Sequence, residues 1–113
     1  MTDCLFCKMI AGDITPDTVY EDENVLAFRD ISPQAPLHVL VIPKRHISTL
    51  NDLNDDALIA GQLTLAATKV AEQEGVAQSG YRIVMNCNAD GGQTVFHIHM
   101  HMLAGRSLTW PPG

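Results

Sequence analysis

Polar and apolar residues alternate strictly near the C-terminus: His97, Ile98, His99, Met100, His101, Met102. A β-strand sends successive side chains to opposite faces, so the run predicts a strand, placed at Val95 to Leu103. Ile98, Met100 and Met102 would enter a core, and three imidazoles would line the other face at intervals of roughly 6–7 Å, twice the rise per residue. Thr18 to Tyr20 and Val25 to Arg29 read as two more strands, joined by the acidic turn Glu21 to Asn24. His38 to Ile42 is rich in β-branched residues and stops at Pro43, which predicts a third. Tyr81 to Asn86 predicts a fourth, at a sheet edge. Between them the period changes: Ile59, Leu63, Ala66, Ala67 and Val70 form one stripe of a long helix that ends near Gly75. Asn54 is expected to cap it, with Asp55 and Asp56 in its first turn. Leu58 and Leu65 fall off the stripe and predict a second packing surface. Cys4 to Ala11 reads as a short helix closed by Gly12. Ser32 to Pro36, the Gly-containing Asn88 to Gln93 and the tail Trp110 to Gly113 read as loops. The pattern predicts one α+β domain over residues 1–113, an antiparallel sheet of about five strands with the long helix on one face.

Composition narrows the partners. The chain has 113 residues, of which 46% are hydrophobic, enough for one small core that gains from dimerisation. Its net charge of −6 argues against nucleic-acid binding but leaves room for a small anion held by local donors. No run approaches the ~20 apolar residues of a membrane span, and Met1 to Lys8 lacks the features of a signal peptide. Three cysteines, an odd number, fit a reducing compartment, so a cytoplasmic location is expected.

The histidine run allows three chemistries. It can be a solvated polar face, a three-histidine metal site, or a site where a neutral imidazole attacks phosphorus. The preceding Gly91-Gly92-Gln93-Thr94 favours the last, because glycines let backbone N–H groups approach an anion. A second signal is Cys4-x-x-Cys7, a metal or redox spacing in a short cytosolic chain.

The segment Gly91 to Leu103 resembles the signature of the histidine triad (HIT) superfamily. Phe28 to His38, Val41 to Ser48, Gly80-Tyr81-Arg82 with Asn86, and Trp110-Pro111-Pro112-Gly113 are similar to its histidine triad nucleotide-binding (Hint) branch. The resemblance implies a homodimeric purine nucleoside phosphoramidate hydrolase that releases AMP or GMP from amine-linked nucleotides through a nucleotidyl-histidine intermediate. It assigns His99 as nucleophile, with His38 and His101 flanking the phosphate. Asn86, Gly92, Gln93 and Thr94 would hold phosphate oxygens or the leaving group, with Thr94 beside the departing amine. Asp30 would take the ribose, Phe6, Met9, Ile31 and Leu40 would form the purine pocket, and Trp110 would arrive from the partner subunit. In some relatives a structural zinc sits at the positions of Cys4, Cys7, His46 and His97; no metal is required for catalysis. Two residues depart from the family pattern: Thr94 stands where serine is common, and Ala104-Gly105 replaces Gly-Gly. Rival readings are a dinucleoside polyphosphate hydrolase or nucleotidyl transferase using the same histidine, and a zinc-stabilised nucleotide-binding module with little turnover.

Overall fold

A sheet of five strands, all neighbours antiparallel, runs in the order β1-β2-β3-β5-β4. The computed structural model describes residues 3–113. Its elements are α1 (Leu5–Ala11), β1 (Thr18–Glu21), β2 (Val25–Arg29), β3 (Leu37–Pro43), a 3-10 turn (Leu50–Asp52), α2 (Ala57–Gln73), β4 (Tyr81–Met85), α3 (Asn88–Gly91) and β5 (Met100–Ala104).

The two faces of β2 and β3 carry separate cores. Val25, Ala27, Val39 and Val41 pack with Met100 and Met102 against the predicted stripe of α2, to which Ala71 is added. Leu26, Phe28, Leu40 and Ile42 point the other way and meet Phe6 of α1. Both faces being covered explains why these strands read as continuous apolar runs rather than as alternation. Emptying the α2 core is costly: Leu63, only 1% exposed, should lose about 2–5 kcal/mol on truncation to alanine. Leu58 and Leu65, off the stripe, are exposed as expected.

Three sequence expectations need correction. First, Asn54 does not cap α2. Asp56 does, its carboxylate accepting from the Ile59 amide at 3.1 Å. Asn54 and Asp55 take left-handed backbone, φ 52° and 66°, to join the 3-10 turn to the helix, a conformation that Asn and Asp tolerate through local hydrogen bonding. Second, Asn88 to Gln93 is not all loop: Asn88–Gly91 makes the helical turn α3, ended by Gly92 at φ 84°. Third, regular pairing on the histidine strand begins only at Met100. In register, Val41 faces Met100, so the next β3 positions, Ile42 and Pro43, would have to pair with His99 and Ile98. Proline has no N–H to give, and its carbonyl is taken by the ring of His97, so the ladder stops. Ile98 is tied instead to the Ile47 carbonyl at 2.7 Å. The predicted alternation survives this loss of regularity, because Ile98, Met100 and Met102 all lie in the helix-side core.

Candidate functional site

The site forms where β3, β5, the irregular stretch before β5, and α1 meet. His99 is buried there, and its Nδ1 lies 2.9 Å from the carbonyl oxygen of His97. A carbonyl only accepts, so neutral His99 carries its proton on Nδ1 and keeps a lone pair on Nε2. The ring stands edge-on to Phe6 at 5.2 Å and to His101 at 5.0 Å. His101 Nδ1 lies 2.9 Å from His38 Nε2, and Asp30 Oδ2 is 3.5 Å from that same His38 nitrogen. Burial first, and then the neighbouring His99 and His38, hold the pKa of His101 down at about 4. Burial also lowers that of His38, against the pull of Asp30.

Beside these rings opens a cavity of about 480 Å³. Phe6, Met9, Asp30, Ile31 and Leu40, the residues expected around a nucleoside, all line it. Phe28 and Val95 join them, neither of them among the residues expected around the nucleoside. Ile31 is 97% exposed, an apolar side chain left almost uncovered among the described residues. Asp30 also closes a local turn, its Oδ1 accepting from Ser32 N at 2.7 Å, which leaves Oδ2 facing the site.

The glycine loop is built differently from the expected nest of free amides. The Gly92 amide is spent on Ala89 O and the Gln93 amide on Asn88 O, so these two close α3 rather than wait for an anion. The side chain of Gln93 is buried, donating to Ser48 O and Val95 O and accepting from the Asn88 amide. It braces the loop in this geometry. Thr94 is exposed and lines a cleft with Cys4, His46 and Phe96, and Asn86 is half-buried at the end of β4. Trp110 is 80% exposed, with the Arg82 guanidinium 5.9 Å from its ring.

The four residues expected around a metal do converge. One ligand atom from each of Cys4, Cys7, His46 and His97 lies within 4.8 Å of the others. His97 Nε2 donates to the Pro43 carbonyl at 2.8 Å, which leaves Nδ1 as a lone pair facing Cys4 Sγ at 3.3 Å and Cys7 Sγ at 3.6 Å. His46 Nδ1 is 3.3 Å from Cys7 Sγ. Tetrahedral zinc with bonds of about 2.0–2.3 Å would set its ligands about 3.5 Å apart, so the set fits with little movement. Burial and the adjacent Cys4 thiol raise the pKa of Cys7, so a thiolate pair here calls for a cation.

Asp30, His38 and His101 also cluster within 4.8 Å. This group fits a metal poorly. If His38 Nε2 bound an ion, the neutral ring would carry its proton on Nδ1, face to face with the Gln34 amide N–H at 3.0 Å.

Among known proteins, the HIT domain family matches residues 11–108. The purine nucleoside phosphoramidase of Escherichia coli K12 is 53% identical over 105 residues, 92% of this chain and 88% of that protein. An uncharacterised HIT-like protein of Synechococcus elongatus is 50% identical over 112 residues, 98% of this chain and 97% of that one. A HIT family hydrolase from Legionella pneumophila, known from its crystal structure, superposes with a TM-score of 0.96 at 54% identity, covering 98% of this chain and all of that one. The chain belongs to the HIT domain family.

Proposed function

We propose that this protein is one HIT domain that hydrolyses purine nucleoside phosphoramidates, releasing AMP or GMP. The observation that carries the reading is the 53% identity, over 92% of the chain, to the purine nucleoside phosphoramidase of E. coli. The local chemistry supports it. His99 presents an unprotonated Nε2 beside the cavity, and an imidazole is a competent nucleophile toward phosphorus at neutral pH. Its attack on the α-phosphorus expels the amine, and water then cleaves the nucleotidyl-imidazole. His101 and His38 flank the phosphate. Asn86, Gly92 and Thr94 lie around the phosphoryl and leaving groups, with Gln93 holding that loop in shape. The purine stacks among Phe6, Met9, Ile31 and Leu40, and Asp30 takes the ribose hydroxyls. Catalysis on this scheme is positioning plus fixed donors toward the phosphoryl oxygens, with no metal in the reaction.

Cys4, Cys7, His46 and His97 would hold a structural zinc, which supplies folding energy and ties α1 to the sheet. The free edge of β4 and the exposed Leu58 and Leu65 support a homodimer, in which Trp110 reaches the partner's site. Among the described residues no helix is long and apolar enough to cross a membrane. Three unpaired cysteines support a cytoplasmic location.

The test compares wild type with His99→Ala on adenosine and guanosine phosphoramidates and on a dinucleoside polyphosphate. Wild type should prefer the phosphoramidates, and His99→Ala should lose turnover while still binding AMP. Turnover retained in His99→Ala removes it as nucleophile, and preference for the polyphosphate overturns the substrate class.

A further inference from the structure

We propose that the main-chain amide of Gln34 is a positioning group for phosphoryl transfer, fixing His101 through His38 as a neutral donor with its proton on Nε2. This rests on the proposed reaction only for what His101 donates to; the proton placement follows from the hydrogen bonds alone.

The chain of bonds begins at a group that cannot change its role. A backbone N–H only donates, and Gln34 N lies 3.0 Å from His38 Nδ1. That nitrogen therefore accepts, and neutral His38 carries its proton on Nε2. His38 Nε2 faces His101 Nδ1 at 2.9 Å, so His101 Nδ1 accepts in turn. The proton of His101 is left on Nε2, on the ring edge away from His38. Asp30 Oδ2, 3.5 Å from His38 Nε2, favours the same arrangement by attracting that N–H. Any extra proton on either ring would set two donors nose to nose in a buried site, losing one hydrogen bond and gaining a repulsion.

The loop that presents the amide is itself fixed. Ser32 N donates to Asp30 Oδ1, Gln34 Nε2 to the Ser32 carbonyl at 3.1 Å, and Arg106 to the Gln34 carbonyl at 3.1 Å. The Asp30 amide donates to the His38 carbonyl at 2.9 Å, locking both ends of the loop together. Asp30, His38 and His101 superficially resemble an acid–base relay. The amide opposes that: a relay through His101 would strip the proton from His38 Nε2, and His38 Nδ1, facing the Gln34 N–H, cannot hold a replacement. His101 then works by stabilising charge on a phosphoryl oxygen without giving up its proton. The departing amine takes its proton from solvent water on the exposed Thr94 side, and the proton released when water cleaves the nucleotidyl-imidazole restores the balance.

Ring nitrogen spectra of 15N-labelled, unliganded protein test this directly. His38 and His101 should each show an unprotonated Nδ1 and a protonated Nε2. Gln34→Pro deletes the N–H and should give mixed tautomers at both rings, with kcat down on the order of tenfold or more and KM changed far less. Gln34→Ala keeps the amide and should keep the wild-type ring signals. A protonated Nδ1 on either ring of the wild type, or unaltered rings in Gln34→Pro, overturns the proposal. Should Gln34→Pro not fold, the wild-type spectrum still decides. Failure of the phosphoramidase reading would appear in the turnover assay and leave these spectra untouched.

Discussion

His97 and His99 are joined through one peptide group: the His97 carbonyl oxygen lies 2.9 Å from His99 Nδ1, while the His97 ring points into the Cys4–Cys7–His46 cluster. Phe6 stands edge-on to both rings, at 5.7 Å and 5.2 Å. The sulfur cluster, α1 and the imidazole proposed as nucleophile therefore share one continuous set of contacts.

Metal removal should reach the nucleotide pocket before it reaches the fold. Protein purified without chelator should contain about one zinc per chain, and Cys4→Ser should contain none. The core under α2 includes no residue of the cluster, so the helical signal in circular dichroism should persist. The walls supplied by Phe6 and Met9, on the same helix as the two cysteines, should loosen. Calorimetry should then show AMP affinity lower by about tenfold, ~1.4 kcal/mol. Unchanged AMP affinity in metal-free protein would show that the two sites are independent.

Acid should destabilise the protein through His101. Unfolded, its imidazole titrates near ~6.5; folded, it is held at about 4 by burial and by His99 and His38, against Asp30. The stability this group contributes is complete above the unfolded value. It is lost as pH falls from there through about 4, because the unfolded chain takes up the proton first. Urea midpoints should fall between pH 7.5 and 5, with chelator present throughout to separate this from metal loss. His101→Gln should flatten that slope; an equal slope would remove His101 as its source.

The α2 stripe and the strand at Val25–Arg29 were legible because side chains carry their own signal, volume, polarity and period, whereas the residues proposed around the purine came only from the family resemblance. What was hidden rests on main-chain groups. The Pro43 carbonyl receives the His97 ring, the Gln93 amide closes α3, and the Gln34 amide orients His38. None of these depends strongly on which side chain stands there, so no pattern announces them. The α2 start was misplaced for a related reason. Asn54, Asp55 and Asp56 are all good caps, and only the backbone turn preceding them selects the last.

Dimerisation should be visible in α2. Leu58 and Leu65 are 72% and 60% exposed and seven residues apart, two turns along one face. Ile83 is exposed on β4, the open edge of the sheet. A twofold interface that buries these on both copies is self-complementary. Sedimentation equilibrium should give a dimer for the wild type and a shift toward monomer for Leu65→Glu. A wild type that stays monomeric at micromolar concentration would end the dimer reading and, with it, the role of Trp110 across the interface.

Adjacent residues at the end of β5 should respond oppositely to the same small change. Gly105 has φ 93°, and a Cβ there would sit 2.7 Å from Cβ of Pro36. The left-handed backbone costs an L side chain roughly 1–2 kcal/mol. The proline ring cannot rotate away, so the contact adds strain, and Gly105→Ala should lose about 2–4 kcal/mol in all. Ala104 is fully buried in β5, paired with Leu37 and Tyr81, and its φ is not positive. The methyl that departs from the family's Gly-Gly is therefore accommodated, and Ala104→Gly should cost about 1 kcal/mol through lost packing and chain entropy. The strain at Gly105 should also travel: Pro36 is two residues from Gln34, whose carbonyl holds Arg106. Urea midpoints rank the two variants, and the ring nitrogen signals of His38 and His101 should shift in Gly105→Ala but not in Ala104→Gly. Equal stability of Gly105→Ala and wild type would mean that the loop at Pro36 yields, and that the amide of Gln34 is not held as firmly as its three neighbours suggest.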